Sequence, residues 1–224
     1  MSTDASDSTL PNETVIWHYR DLASFLSILQ TESLWFSRLD QLRDPFEGRS
    51  EHPYKSQFMQ LAEQATRRQG FVNCWTIDDE ESELMWFAYA PNFGVAIKST
   101  VGDLRLALPE ESRPAKIKRV QYGTDWASGP PESYAFQKRR HFKREQELRV
   151  LVEGKVAEKD LAGMAVPVVL STLLNEVWIS PLAPAWLVQV VAYEMKGHRH
   201  GNVRVRRRED SLLSDRMVSE YELP

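Results

Sequence analysis

The sequence predicts an α+β fold in a single domain, and three observations lead there. Short strand patterns and amphipathic helical patterns are interleaved without a regular βαβ rhythm. No internal repeat or low-complexity tract interrupts them. The 224 residues are 42% hydrophobic and 27% charged, enough to bury one core. The opening "MSTDASDSTLPNE" is polar and acidic and lacks an apolar h-region. We therefore expect residues 1–13 to form a disordered tail and residues 14–224 to form the domain.

Taken in order, "TVIWHYR" alternates Val15, Trp17 and Tyr19 against Ile16 and His18, as a strand does. "DLASFLSILQTES" follows as a helix, with Asp21 as N-cap and Leu22, Phe25, Leu26 and Leu29 at helical spacing. "LWFSRL" is a second strand, and "DQLRDPFEGRSEH" is a loop broken at Pro45 and Gly48. "YKSQFMQLAEQATRRQ" is an amphipathic helix that Gly70 is expected to close. "FVNCWTI" is a third strand, and "DDEESELMWFAYAP" is expected to be an acid-capped helix ending at Pro91. Gly94 opens a fourth strand, "GVAIKST", and "AKIKRVQYG" supplies a fifth. "PPESYAFQKRRHFKR" reads as a loop and helix leading into a strand at "ELRVLV". "EVWISPLAP" and "WLVQVVAYEM" read as strand-like or mixed, and "NVRVRRRE" as a last strand.

Composition narrows the class. The single cysteine, Cys74, excludes an internal disulfide and a cysteine-rich zinc site. No run of 18 apolar residues exists, so no membrane span is expected, and a cytoplasmic home fits best. The net charge of −4 hides two basic runs, "KRRHFKR" and "KGHRHGNVRVRRR". Such runs either meet a polyanion or are solvated faces. Neither G-x-G-x-x-G nor G-x-x-x-x-G-K nor G-x-S-x-G is present.

The chemistry concentrates in "KREQELRVLV". Strand alternation places Glu145, Glu147 and Arg149 on one face. Two acids side by side repel and lose hydration if buried, so they are either a solvated edge or an acid pair lining a pocket. His18 and Tyr19 end the first strand just before a helix, where polar groups are well placed for a ligand. Asp44 and Glu47 flank a proline turn. Trp86 and Tyr89, three residues apart, share a helix face that either packs the core or stacks on a planar ring. Cys74, inside a strand, reads as an inert core thiol.

Read together, these blocks resemble a large bacterial family of uncharacterised domains. "WHYRDLASFLSILQTESLWFSRLDQLRDPFEG" matches its opening Y-x-Y-R or Y-H-Y strand, LWFS and N-D-P-F-E turn. "CWTIDDEESELMWFAYAPNFGVAIKS" matches its M-W-x-x-Y-A and G-V blocks, then come "VQYG" and "FKREQELRVLV", its E-x-E-x-R. The chain departs at Arg43, where the family has Asn, and at Phe142, where Trp is common. The family in turn resembles the ADP-ribosyltransferase fold. That resemblance implies a split β-sheet core with helices, and NAD as the substrate. It implies Glu147 as catalytic acid, Glu145 orienting the acceptor and His18 holding a ribose. It further implies that Trp35, Phe36 or Tyr89 stacks on nicotinamide, with Ser37 nearby. Tyr19, Arg20, Trp86 and Arg149 complete the expected NAD site, Arg20 by forking onto a diphosphate.

Three functions follow from this reading. The first is ADP-ribosyl transfer from NAD to a nucleic acid or protein, in phage defence or stress, without a metal. The second is a non-catalytic module binding a nucleotide or nucleic acid. The third is a metal-dependent nuclease using Asp44, Glu47, Glu145 and Glu147, which requires a divalent ion.

Overall fold

A computed structural model describes residues 10–44, 46, 47, 49, 56–109, 115–123, 131–153 and 161–208. The expectation for residues 1–9 lies outside these. Residues 10–13 are not a free tail. Leu10 packs against the core, and Arg105 Nη1 donates to the Leu10 carbonyl and to Asn12 Oδ1.

The fold is α+β, built on one nine-stranded sheet. The chain runs β1 (Val15–Asp21), α1 (Leu22–Thr31), β2 (Ser33–Arg38), α2 (Gln57–Gln69), β3 (Gly70–Ile77), α3 (Glu83–Tyr89), β4 (Gly94–Thr100) and α4 (Val101–Ala107). It continues through β5 (Lys116–Arg119), β6 (Gln121–Tyr122), β7 (Gln137–Lys138), β8 (Glu147–Glu153), β9 (Gly163–Pro167) and α5 (Leu170–Leu173). β10 (Glu176–Ile179), α6 (Leu187–Gly197) and β11 (Arg204–Arg207) complete it. Short 3₁₀ segments cover Pro131–Phe136 and Arg140–Glu145. The Asp21 carboxylate accepts from Ser24 N at 2.8 Å, the N-cap its position predicts.

The sheet forks at β3. One edge of β3 pairs along its length with β8, from Gly70↔Glu153 to Thr76↔Glu147. The opposite edge is shared. β1 pairs only at Ile16↔Ile77 and Trp17↔Thr76, and β2 only at Ser37↔Val72 and Arg38↔Phe71. Between them Asn73, Cys74 and Trp75 have no ladder partner on that edge. A buried backbone carbonyl needs a donor from somewhere. His18 Nδ1 reaches the Cys74 carbonyl at 2.8 Å, and Asn73 Nδ2 donates to the Trp35 carbonyl at 3.0 Å. Side chains thus close the fork where backbone cannot.

The main core lies on one sheet face, where α1, α4, α5 and α6 bring Phe25, Leu104, Leu173, Leu187 and Val191 onto Ile16, Trp75, Leu148 and Val150. The other face carries two smaller clusters. One joins Trp17, Tyr19, Met85, Trp86 and Ala96, and the other joins Leu39, Val72, Phe136 and Leu151.

Four elements differ from expectation. "WLVQVVAYEM" is helical, because buried Leu187, Val191 and Met195 recur every four residues despite the β-branched run. The acid-rich Asp78–Ser82 stretch precedes α3 rather than joining it, and Ser82 N is held by the Tyr19 hydroxyl at 2.8 Å. Residues 131–145 wind as 3₁₀ turns around β7 rather than as an α-helix. Gly70 begins β3 instead of capping α2 in a left-handed turn; a Cβ there would meet Leu39 Cδ1 at 2.7 Å and the Thr66 carbonyl oxygen at 2.8 Å.

Gly94 opens β4 as expected, for a reason of space. A Cβ at Gly94 would lie 1.9 Å from the Ala90 carbonyl oxygen, which is backbone and cannot swing away. Gly94→Ala is expected to destabilise the protein by about 2 kcal/mol or more, in the range of overpacked cores. A thermal melt showing no loss would contradict this packing.

Candidate functional site

A cavity of about 560 Å³ opens between the two smaller clusters, over the face of β3 and β8 that carries Cys74, Thr76, Glu147 and Arg149. Its size falls in the roughly 300–1,000 Å³ range of small-molecule clefts. β1 contributes Trp17, His18, Tyr19 and Arg20, β2 contributes Ser37, and the 42–47 loop contributes Asp44 and Glu47. α3 brings Met85, Ala88 and Tyr89, and the 138–145 stretch brings Lys138, Arg139, Phe142 and Glu145.

At one end sits a buried charge network. Arg149, fully buried, donates from Nε to Glu147 Oε1 at 2.7 Å and from Nη2 to Glu147 Oε2 at 3.0 Å. Nη2 also reaches Glu47 Oε2 at 2.6 Å, and Nη1 donates to the Ala135 carbonyl at 2.7 Å. Lys138 Nζ meets Glu145 Oε2 at 2.6 Å, Glu147 Oε2 at 3.1 Å and Glu47 Oε1 at 3.3 Å. The Tyr89 hydroxyl donates to Glu145 Oε1 at 2.8 Å, and Glu147 N is bonded to the Tyr122 hydroxyl at 2.8 Å. Three carboxylates thus face two cations, leaving one negative charge in excess.

Electrostatics fix the protonation states. Burial alone would raise the Glu147 carboxyl, but the charges of Arg149 and Lys138 outweigh it and hold it down to about 2. Burial opposes the Lys138 ammonium too, and the carboxylates of Glu147 and Glu47 overcome that and raise it. Burial, then the Glu147 charge, pushes the Cys74 thiol up, so it stays a protonated, unreactive thiol as expected.

The other wall is built on β1. Cys74 O can only accept, so His18 Nδ1 carries the proton of that 2.8 Å bond, and Nε2 is the acceptor for Arg20 Nε at 2.8 Å. Burial and the neighbouring Arg20 charge push the His18 pKa well below its ordinary value, in keeping with a neutral ring. The ring also stacks on Trp75 at 4.7 Å between centroids.

Of the residues expected from the sequence, His18, Tyr19, Arg20, Ser37, Tyr89, Glu145, Glu147 and Arg149 all line this cavity. Trp35, Phe36 and Trp86 do not. Phe36 is buried in the main core, and Trp86 is buried beside Tyr19 with its Nε1 on Glu81 Oε2 at 2.6 Å. Trp35 alternates to the outside of β2, half exposed, and lies over Gly163 of β9. His18 has both ring nitrogens engaged within the protein, which leaves no ring donor for a ribose hydroxyl. Glu145 reaches the cavity from the 3₁₀ turn and not from a strand, because Gln146 turns the chain with φ 44° between the two acids. Lys138, Tyr122 and the Arg139–Asp44 pair were not anticipated. The basic run "KRRHFKR" was visible, but nothing local marks its first residue as the buried one.

No protein-family model and no curated protein matches the chain. Solved structures similar to it include Thermus sp. 2.9 DarT in complex with NAD+, at 12% identity and a TM-score of 0.43, covering 90% of this chain and 98% of that one. The same protein in complex with carba-NAD+ gives 12% and 0.42, covering 89% and 98%. Its complex with ADP-ribosylated ssDNA gives 12% and 0.43, covering 90% and 97%.

Proposed function

We propose that the chain is an ADP-ribosyltransferase-like enzyme that cleaves the nicotinamide–ribose bond of NAD and transfers ADP-ribose to a nucleic acid or protein. The observation that carries this is an ionised, buried Glu147 with Glu145 in a partly open cavity whose wall also carries Arg20. As the C–N bond breaks, nicotinamide leaves neutral with the bonding pair, and positive charge develops at the anomeric carbon. A carboxylate cluster with one negative charge in excess stabilises that centre, as carboxylates do in glycoside hydrolysis. The acceptor nucleophile, oriented by Glu145, then bonds to that carbon and releases its proton to solvent. Of Trp35, Phe36 and Tyr89, the three residues expected to stack on nicotinamide, Tyr89 borders the cavity and carries the Glu145 contact. Arg140, His141, Lys143 and Arg144 stand exposed on the turn whose inner residues line the cavity, which favours a polyanionic acceptor.

The nuclease reading is less well supported. Among the described residues no group of three of its acids is placed to hold a metal ion. Nicotinamide release from NAD, without added metal, tests the proposal. Release by the wild type should fall at least about 100-fold in Glu147→Gln, the scale of losing a group that stabilises transition-state charge. Unchanged release in a folded Glu147→Gln protein, or no NAD binding by calorimetry, would overturn it.

A further inference from the structure

Arg20 is a partly buried cation on the cavity wall, and its terminal nitrogens make no bond among the described residues. The neighbouring Asp21 carboxylate is taken up by Ser24, whose N and Oγ it accepts at 2.8 and 2.9 Å. Nε is held by His18. A guanidinium in this state has one fixed edge and one free edge, and the free edge is the fork that matches two phosphate oxygens. Burial still lowers the Arg20 pKa, since the Asp21 charge that favours the guanidinium sits on an exposed carboxylate bonded to Ser24, and an anion in the cavity offsets that cost.

The fork in the sheet explains how this arrangement is held. Because β1 and β2 leave the Cys74 carbonyl without a ladder bond, that carbonyl demands a donor, and His18 Nδ1–H supplies it. This fixes the tautomer, and the tautomer makes Nε2 an acceptor. Stacking on Trp75 fixes the ring plane. Every degree of freedom of the imidazole is therefore set before Arg20 meets it.

We propose that His18 is a positioning residue, a neutral acceptor anchored on the Cys74 carbonyl that aims the Arg20 guanidinium into the cavity as a receptor for the diphosphate of a nucleotide. This rests on the reading of the cavity as an NAD site but separates the diphosphate subsite from the cleavage chemistry at Glu147. It replaces the expected contact of His18 with a ribose.

The test is calorimetric binding of ADP and of adenosine, which differ only in the diphosphate, to wild type, Arg20→Gln and His18→Phe. Phe at position 18 keeps an aromatic ring against Trp75 and removes both hydrogen bonds. Wild type should bind ADP at least tenfold more tightly than adenosine, and the ratio should fall towards one in both variants. The proposal is overturned if wild type fails to bind ADP, shows no preference for it, or keeps its preference in either variant. Should His18→Phe fail to fold, ¹⁵N spectra of the wild-type histidine rings decide. The resonance that moves in Arg20→Gln should come from a neutral ring protonated at Nδ1, and a charged ring or the Nε2–H tautomer would sink the idea. A protein that binds ADP in this way yet releases no nicotinamide retains the subsite and loses the transferase reading.

Discussion

Arg149→Met is expected to destabilise the protein by about 3–5 kcal/mol, the usual cost of stranding a buried charge. The guanidinium is fully buried and, with Lys138, joins Glu147 on β8 to Glu47, which lies 102 residues before Arg149 in sequence. Methionine fills most of the volume, so the loss reports charge and not a void. Removing it leaves both Glu47 and Glu147 facing Lys138 alone. Urea unfolding of wild type and variant measures the effect. A loss under about 1 kcal/mol, the range of exposed pairs, would mean that water enters the network freely.

Acid titration should expose the same network. The folded Glu147 carboxyl sits at about 2 against an ordinary 4.5. A depressed carboxyl contributes stability that is full above its unfolded value and is lost as pH falls through the folded value. Glu147 should therefore contribute about 3 kcal/mol above pH 4.5, fading between there and pH 2. Unfolding free energy followed from pH 6 to pH 2 should show this slope in wild type and lose it in Glu147→Gln. Parallel curves for the two proteins would contradict the assignment.

Local signals carried much of the architecture. Asp21 announced its helix because an N-cap is decided within four residues. The alternation of "TVIWHYR" and "ELRVLV" marked β1 and β8, and the second correctly placed Glu147 and Arg149 on one face. Where the outcome depended on distant partners, local pattern failed. Phe36 and Trp35 alternate on β2, but alternation does not say which positions reach a cavity; Ser37 does, and Trp35 and Phe36 do not. "WLVQVVAYEM" holds both a β-branched run and a four-residue repeat, and packing on the main core selects the helix. Lys138 is one of several basic residues in a row, and it is buried because the 42–47 loop and β8 close around it. His18 was marked by its place at a strand end, but its role depends on an unpaired carbonyl that exists only because two strands diverge on β3.

Among the described residues, three strands of the sheet pair on one side only, β11, β5 and β9. Open sides of long sheets invite the same strand from another molecule, the route to cross-β aggregation. β11 reads Arg-Val-Arg-Arg and β5 reads Lys-Ile-Lys-Arg, so stacking either against its own copy brings like charges together. β9 carries no charge but ends at Pro167, which has no N–H to offer a neighbour. The arginines of β11, part of one of the two basic runs, thus also guard an open side, so neutralising them for a binding experiment should make the protein more prone to fibrillar self-association.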